Sequence, residues 1–127
     1  MRLLDTDVVV DTVRGFPPAR QWLNSLVEQP GLPGIAMMEL VEGCANKADI
    51  WRVQKLVSRY TLYWPSPAGC QSALDYLTQF YLSHNLNFAD ALIAATAVGQ
   101  GATLCTFNVK HFAAVPGLVM EQPYARA

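Results

Sequence analysis

The chain has 127 residues, 52% of them hydrophobic and 15% charged, with a formal net charge of −1. This size and composition are typical of a compact domain and exclude an intrinsically disordered chain. We expect a single domain over residues 1–127, located in the cytoplasm, because the start lacks a secretory pattern and no run of about eighteen apolar residues predicts a membrane span. Three cysteines without a CxxC pair argue against a zinc site or a disulfide framework.

The acidic residues are unevenly distributed. Six of the ten lie in three otherwise apolar segments, and the rest of the chain carries nine basic and four acidic residues. If these segments converge, the protein is a mildly basic body with a concentrated acidic pocket, which is a cation site on a scaffold that tolerates a polyanion. The six residues are Asp5, Asp7, Asp11, Glu39, Glu42 and Asp90.

Short apolar stretches alternate with amphipathic ones, and prolines and glycines mark the turns. The stretch FADALIAATAVGQ is apolar on nearly every side, which is typical of a helix buried against a sheet. In chain order we predict a strand at 2–5, a helix from Pro17, an apolar piece at 35–37 running into a helix through about Ala45, a helix at about 48–60, a strand at 61–64, helices at about 67–83 and 88–100, a strand at 103–106 and an edge strand at 118–120.

This alternation of short strands and helices predicts an α/β fold with a parallel sheet covered on both faces. In such sheets the functional site lies beyond the carboxyl ends of the strands. Asp5 and the segment Thr106-Phe107-Asn108 follow two such ends, so we expect them to border the site.

Three acids at the edges of apolar elements are candidates for chemistry. Asp90 follows Asn87 in the first turn of an apolar helix, where the helix dipole favours an ionised carboxylate and a plain capping acid is the alternative. Glu39 and Glu42 share a helix face, and Glu42 fits a solvated surface. Since no basic residue lies within these segments, a divalent cation is the natural compensator of Asp5, Glu39 and Asp90, and oxygen ligands favour Mg²⁺ or Mn²⁺.

Several motifs resemble those of a known family. LLDTDVVVD near the start, then MELVEG, NFADALIAATA, TLCTFNVKHF and a closing PGL are similar to PIN-domain nucleases, and most similar to the VapC-type toxins of type II toxin–antitoxin systems. The resemblance runs from about residue 2 to residue 123. Each motif alone is weak, whereas their order and spacing together are specific.

The resemblance implies a three-layer α/β/α sandwich with a central parallel sheet of four to five short strands. It implies an endoribonuclease that depends on Mg²⁺ or Mn²⁺, with Asp5, Glu39 and Asp90 as catalytic and metal-binding residues. It also implies a cognate antitoxin protein and a homodimer.

One segment departs from the family pattern. Many members have a fourth acid where this chain has Asn108 and His111, and Asp7 is a candidate to replace the missing charge. Thr6 and Thr106 are equally consistent with orienting water or phosphate and with local backbone capping. His111 is a possible Mn²⁺ ligand, with a surface histidine as the simpler interpretation.

Other residues are assigned by their position on helices. Asp11, four residues after Asp7 on a predicted helix, fits a solvated face, and Trp51 fits core packing. The basic residues that could contact RNA phosphates are Arg52, Lys55, Arg59 and Lys110, although spaced bases are also typical of a solvated face.

Two other functions compete with a nuclease. A neutral Asn108 is compatible with a non-catalytic module that binds nucleic acid or protein. The opening also fits the DxDx(T/V) pattern of haloacid-dehalogenase-like phosphatases, in which the first aspartate is a nucleophile. Against a phosphatase, Lys47 and Lys55 are badly placed, no Asp-Asp pair occurs, and the chain is short.

Overall fold

A computed structural model describes residues 1–126 as five short strands and seven helices. None of the helices described is long and apolar enough to cross a membrane. The strands are β1 Arg2–Leu4, β2 Leu32–Pro33, β3 Leu62–Tyr63, β4 Thr103–Cys105 and β5 Val119–Glu121. The helices are α1 Thr6–Val13, α2 Pro17–Ser25, α3 Gly34–Glu42, α4 Lys47–Val57, α5 Pro67–His84, α6 Phe88–Gln100 and α7 Val109–Phe112.

All strand pairs are parallel, as predicted. β1 pairs with β4, β4 with β5 and β2 with β3, and a parallel bridge between Leu3 and Gly31 joins the two groups. The resulting order is β3-β2-β1-β4-β5. β1 and β4 are therefore interior neighbours, and their carboxyl ends lie side by side.

Both faces of the central strands are covered by helices. Neighbouring residues of a strand point to opposite faces, and Leu3, Leu4, Leu104 and Cys105 are all 0% exposed. α6 packs against β2 and β4, with α5 beside it, while α1 packs against α2 and α3. The α/β/α arrangement expected from the motifs is thereby confirmed.

The structure differs from the predicted elements in three places. Helix α3 already begins at Gly34, so residues 35–37 are helical and the strand β2 precedes them. A Cβ at Gly34 would overlap the ring of Trp64, which explains a glycine there. The four-residue helix α7 is too short to show a periodic pattern, and Trp51 is 62% exposed, so its prediction as a core residue was wrong.

Candidate active site

The carboxyl ends of β1 and β4 are joined through Asp5 and Thr106. The backbone N–H of Asp5 donates to the carbonyl of Cys105 at 2.9 Å. Beyond the strand, the Thr106 hydroxyl donates to Asp5 Oδ2 at 2.7 Å, and the N–H of Thr6 donates to Oδ1 at 2.8 Å. Asp5 also caps helix α1. Its carboxylate is 3% exposed and Thr106 is 0% exposed, so the pair is fixed in the interior of the site.

Asp90 enters the same region from the start of α6. Asn87 caps this helix through the N–H of Asp90 at 2.8 Å, and Asp90 Oδ2 accepts from the N–H of Asn87 at 3.3 Å. The capping role considered for Asp90 is therefore present. Asp90 Oδ2 also lies 3.6 Å from His111 Nδ1, and the charge of Asp90 acts on Asp5. The Asp90 side chain therefore both takes part in capping α6 and belongs to the acidic site.

Glu39 reaches the site from α3. Its Oε1 accepts a hydrogen bond of 2.7 Å from the Thr6 hydroxyl, and Thr6 directly follows Asp5. Glu42, one turn further along the helix, is exposed to solvent as predicted. The two glutamates of the motif MELVEG therefore have different surroundings, because only Glu39 is hydrogen-bonded to Thr6, the residue after Asp5.

Asp7 and Asn108 form the other border of the site. Asp7 Oδ2 accepts from the N–H of Phe107 at 2.9 Å, and Oδ1 accepts from the N–H of Val8 at 2.8 Å. Asn108 is exposed, and its backbone N–H donates to the Thr106 hydroxyl at 3.0 Å. The negative charge on this border therefore comes from Asp7.

All four acids are harder to ionise than free carboxylic acids. Burial raises the pKa of Asp5 to about 7, and the neighbouring Asp7 charge adds to this, while hydrogen bonds from Thr106 and Thr6 oppose it. Burial likewise raises the pKa of Asp7, Glu39 and Asp90. Within residues 1–126, no Lys or Arg side chain pairs with Asp5, Glu39 or Asp90. The site has a deficit of positive charge.

The donor atoms fit a hard divalent cation by their chemistry. Carboxylate oxygens are the ligands that Mg²⁺ and Mn²⁺ prefer, and a bound cation would offset the cost of burying these carboxylates in their charged form. In residues 1–126, however, no three His, Cys, Asp or Glu side chains are already spaced as a metal cluster. The acids converge on one region without a preformed coordination shell.

The basic residues considered for RNA binding lie in different places. Arg52 lines a cavity of about 340 Å³ together with Arg14, Thr6 and Glu39, so it borders the acidic site. The guanidinium of Arg59 lies 5.0 Å from the ring centroid of Tyr60, and this arginine lines a separate cavity. The ammonium of Lys55 lies 4.8 Å from the ring centroid of Trp51, and Lys110 is exposed on α7 beside His111.

Sequence reasoning missed or misplaced several side chains near the site. Asp11 is not a solvated residue, since it accepts hydrogen bonds from the Tyr124 hydroxyl and from Arg126 Nε. His111 is half-buried and faces Asp90, which a lone surface histidine would not do. Arg14 was not considered. Residues 113 or more positions apart along the chain carry no local signal of such contacts.

Comparison with known protein families shows which family the chain belongs to. The model of the PIN domain matches residues 2–118. The chain belongs to the PIN domain family. The resemblance inferred from the motifs is confirmed, and membership of this family removes the support for a haloacid-dehalogenase-like phosphatase.

Individual relatives of this PIN-domain chain span nearly its full length. Ribonuclease VapC10 of Mycobacterium tuberculosis is 33% identical over 117 residues, which cover 88% of this chain and 86% of that protein. A toxin–antitoxin complex from Klebsiella pneumoniae contains a chain that is 27% identical, with a TM-score of 0.74 and 98% of both chains covered. The crystal structure of VapBC2 from Rickettsia felis, bound to a DNA fragment from their promoter, matches with a TM-score of 0.76 at 25% identity, covering 94% and 96%.

Proposed function

We propose that this PIN-domain chain is an endoribonuclease that depends on Mg²⁺ or Mn²⁺ and is the toxin of a toxin–antitoxin pair. The observation that carries the proposal is the convergence of Asp5, Glu39 and Asp90 at the carboxyl ends of β1 and β4, where no arginine or lysine of the described residues pairs with them. Such a site is suited to holding a cation against a phosphate. The relatives named as ribonucleases support RNA as the substrate.

In this mechanism the three acids share one task, and two threonines position two of them. Asp5, Glu39 and Asp90 would hold the ion, which when bound polarises a phosphoryl oxygen and lowers the pKa of a bound water. Thr106 and Thr6 fix the carboxylates of Asp5 and Glu39 through hydrogen bonds of 2.7 Å each. These bonds limit the movement that the side chains must undergo when a substrate arrives.

Arg52 is the basic residue best placed to contact RNA. It shares a cavity with Thr6 and Glu39, and Arg14 lies on the same wall. A guanidinium there would bind a phosphate next to the one that is cleaved. The exposed neutral Asn108 remains the reason to keep a non-catalytic binding module as the second candidate.

Two protein partners belong to the proposal. A cognate antitoxin is supported by the complexes that this chain resembles in fold. A homodimer is supported by an apolar groove of about 680 Å³ beside Glu39, whose wall includes Met38, Trp64 and Phe88 at 54%, 51% and 68% exposure. Exposed apolar surface of this kind marks interfaces, and we assign this groove to a second copy of the chain. The proposed site of action is the cytoplasm.

Light scattering tests the dimer. We expect the purified chain to have twice the monomer mass and Phe88→Glu to shift it to the monomer. Trp51→Glu is the matched control, because Trp51 is equally exposed but lies outside this groove. A monomeric wild-type chain, or equal effects of both substitutions, would contradict the assignment.

The test of the catalytic proposal is cleavage of a mixed pool of structured and single-stranded RNA. The protein is assayed with Mn²⁺, with Mg²⁺ and with EDTA, beside Asp90→Asn, whose amide can still cap α6. Asp75→Asn on the exposed side of α5 is the control. We expect cutting that requires the ion and is lost only in Asp90→Asn. Absence of cutting with intact Mn²⁺ binding would favour the binding module.

A further inference from the structure

The segment that follows β5 returns across helix α1. The Tyr124 hydroxyl donates to Asp11 Oδ2 at 2.7 Å, and Arg126 Nε donates to the same oxygen at 3.0 Å. Two donors converge on one carboxylate that belongs to the helix starting at the acidic site. The segment is therefore attached to α1 at a defined point.

The same two side chains contact Phe107, which follows β4. The Tyr124 ring meets the Phe107 ring edge-on with centroids 5.0 Å apart, and the Arg126 guanidinium lies 4.1 Å from the Phe107 centroid. Tyr124 is packed in turn against Phe16 and Trp22 at 6.0 and 6.2 Å. Aromatic and cation–π contacts of this kind fix the position of the Phe107 ring.

Phe107 and Asp7 connect these contacts to the site. The N–H of Phe107 donates to Asp7 Oδ2 at 2.9 Å, and an Arg126 nitrogen donates to the backbone carbonyl of Asp7 at 3.3 Å. Asp7 provides the largest charge effect on Asp5 among the neighbouring groups. A shift of Phe107 would therefore be transmitted to the carboxylates at the centre of the site.

We propose that Tyr124 and Arg126 are positioning residues of the acidic site, which together we name the tail clamp. The tail clamp fixes the N–H of Phe107 and the backbone of Asp7, and thereby sets where the Asp7 carboxylate lies relative to Asp5. Neither side chain has a bond to Asp5, Glu39 or Asp90. The inference rests on the proposed function, because it assigns the tail clamp a role in cation binding.

The ion pair between Arg2 of β1 and Glu121 of β5 provides a matched control. Arg2 Nε lies 2.9 Å from Glu121 Oε2, and Arg126 Nε lies 3.0 Å from Asp11 Oδ2, with the two arginines 40% and 42% exposed. Both pairs attach the last part of the described chain to the rest of the protein. Only the Arg126 pair is connected to Phe107 and Asp7. Arg2→Gln therefore removes a comparable side-chain tether that has no hydrogen bond to Phe107 or Asp7.

The experiment compares Arg126→Gln, Tyr124→Phe and Arg2→Gln in the full chain. Mn²⁺ affinity is measured by calorimetry, exchange of the Phe107 amide hydrogen by NMR, and thermal unfolding by circular dichroism. We expect both tail-clamp variants to bind Mn²⁺ about threefold more weakly, which is less than the roughly tenfold typical when a direct hydrogen-bond partner of a ligand is removed. Phe107 exchange should accelerate, and Arg2→Gln should change neither quantity. The unfolding temperatures of the two arginine variants should be similar.

Two results would overturn the tail clamp as a positioning device. One is unchanged Mn²⁺ affinity and Phe107 exchange in Arg126→Gln and Tyr124→Phe. The other is an equal loss of Mn²⁺ affinity in Arg2→Gln, which would show that general attachment of the segment, and not the position of Phe107, is responsible. If the wild type fails to cut RNA, the proposed function fails separately, since exchange of the Phe107 amide still reports whether the tail clamp holds this residue.

Discussion

Acidic residues at two strands of the same sheet have opposite surroundings: Glu121 on β5 is paired with an arginine, and Asp5 after β1 is buried. Glu121 on β5 has a side chain 34% exposed and is paired with Arg2 at 2.9 Å, and the hydrogen bond from Arg2 lowers its pKa. Asp5, which follows β1, is 3% exposed and has no Lys or Arg partner among residues 1–126, and burial raises its pKa to about 7. The partly exposed Glu121 therefore has an arginine partner, whereas no Lys or Arg among residues 1–126 pairs with the buried Asp5, whose charge costs more to bury.

This contrast separates stability from function. Exposed ion pairs contribute little to the free energy of unfolding, whereas buried carboxylates without a partner reduce it. Asp11 shows that the chain can bring an arginine to α1, since Arg126 reaches it at 3.0 Å. That no Lys or Arg side chain of the described part of the chain pairs with Asp5 is therefore a specific property of the site, and it is consistent with binding of an external cation.

The largest expected effect is the loss of activity in Asp5→Asn. We expect RNA cleavage to fall by about 10²–10³-fold, because a preorganised charge at the reacting phosphate is removed. Glu121→Gln should retain wild-type cleavage, since its carboxylate is bonded to Arg2 and to the Cys105 thiol and to none of the acids of the site. Initial rates on the same RNA at saturating Mn²⁺ provide the measurement. Comparable losses in both variants would erase the distinction between the two groups of acids.

The second prediction concerns stability without metal. Asp5→Asn should raise the free energy of unfolding in EDTA at pH 8 by on the order of 2–4 kcal/mol, because ionisation of a buried group no longer opposes folding. Asp5 is the relevant group because it is 3% exposed. Urea titration followed by circular dichroism gives this quantity. A less stable variant at pH 8 would show that the Thr106 and Thr6 hydrogen bonds outweigh the burial of charge.

The third prediction is the pH dependence of the same quantity. Because the pKa of Asp5 is about 7 in the folded protein and lower when unfolded, the folded state binds more protons in this window. Stability without metal should therefore fall as pH rises from about 4 to about 7 and level off above it. Asp5→Asn should have a shallower slope. Identical slopes in wild type and variant would exclude Asp5 as the cause.

A smaller effect is expected for the bond between Thr6 and Glu39. Thr6→Val removes the hydroxyl that donates to Glu39 at 2.7 Å and should lower the cleavage rate roughly fivefold, corresponding to the net contribution of one hydrogen bond. Thr12→Val is the control, because its hydroxyl bonds only to the carbonyl of Val8 within α1. Equal rates for Thr6→Val and wild type would show that this hydrogen bond does not position Glu39 for cleavage.

The smallest expected effect concerns RNA affinity. Arg52→Gln should weaken binding about threefold and reduce the slope of affinity against salt by about one, as for the loss of one phosphate contact. Lys55→Gln should leave the affinity and its salt dependence unchanged. Its ammonium lies over Trp51, and it does not line the cavity that Arg52 shares with Glu39. Fluorescence anisotropy with a labelled RNA at several salt concentrations distinguishes them. A larger effect of Lys55→Gln would move the RNA path away from that cavity.

The sequence was sufficient for the parallel sheet, which follows from the alternation of short apolar strands and helices. Local patterns marked Asp5 and Asp90 as candidates, whereas their grouping in one site was implied by the resemblance to PIN-domain nucleases. The sequence was insufficient for Asp11, because its partners Tyr124 and Arg126 are more than a hundred positions away. Trp51 was misplaced because a position at the edge of an apolar stripe does not reveal whether another element covers it.

The bond between Asp5 and Thr106 also sets when the site can exist during synthesis. Its two ends are 101 positions apart in the chain, and β1 gains β4 as its second neighbour, after β2, only when Thr103–Cys105 has been made. Domains generally fold as units during synthesis. A growing chain that has not yet reached β4 holds Asp5 without Thr106 beside it, so the acidic site is incomplete until β4 has been made.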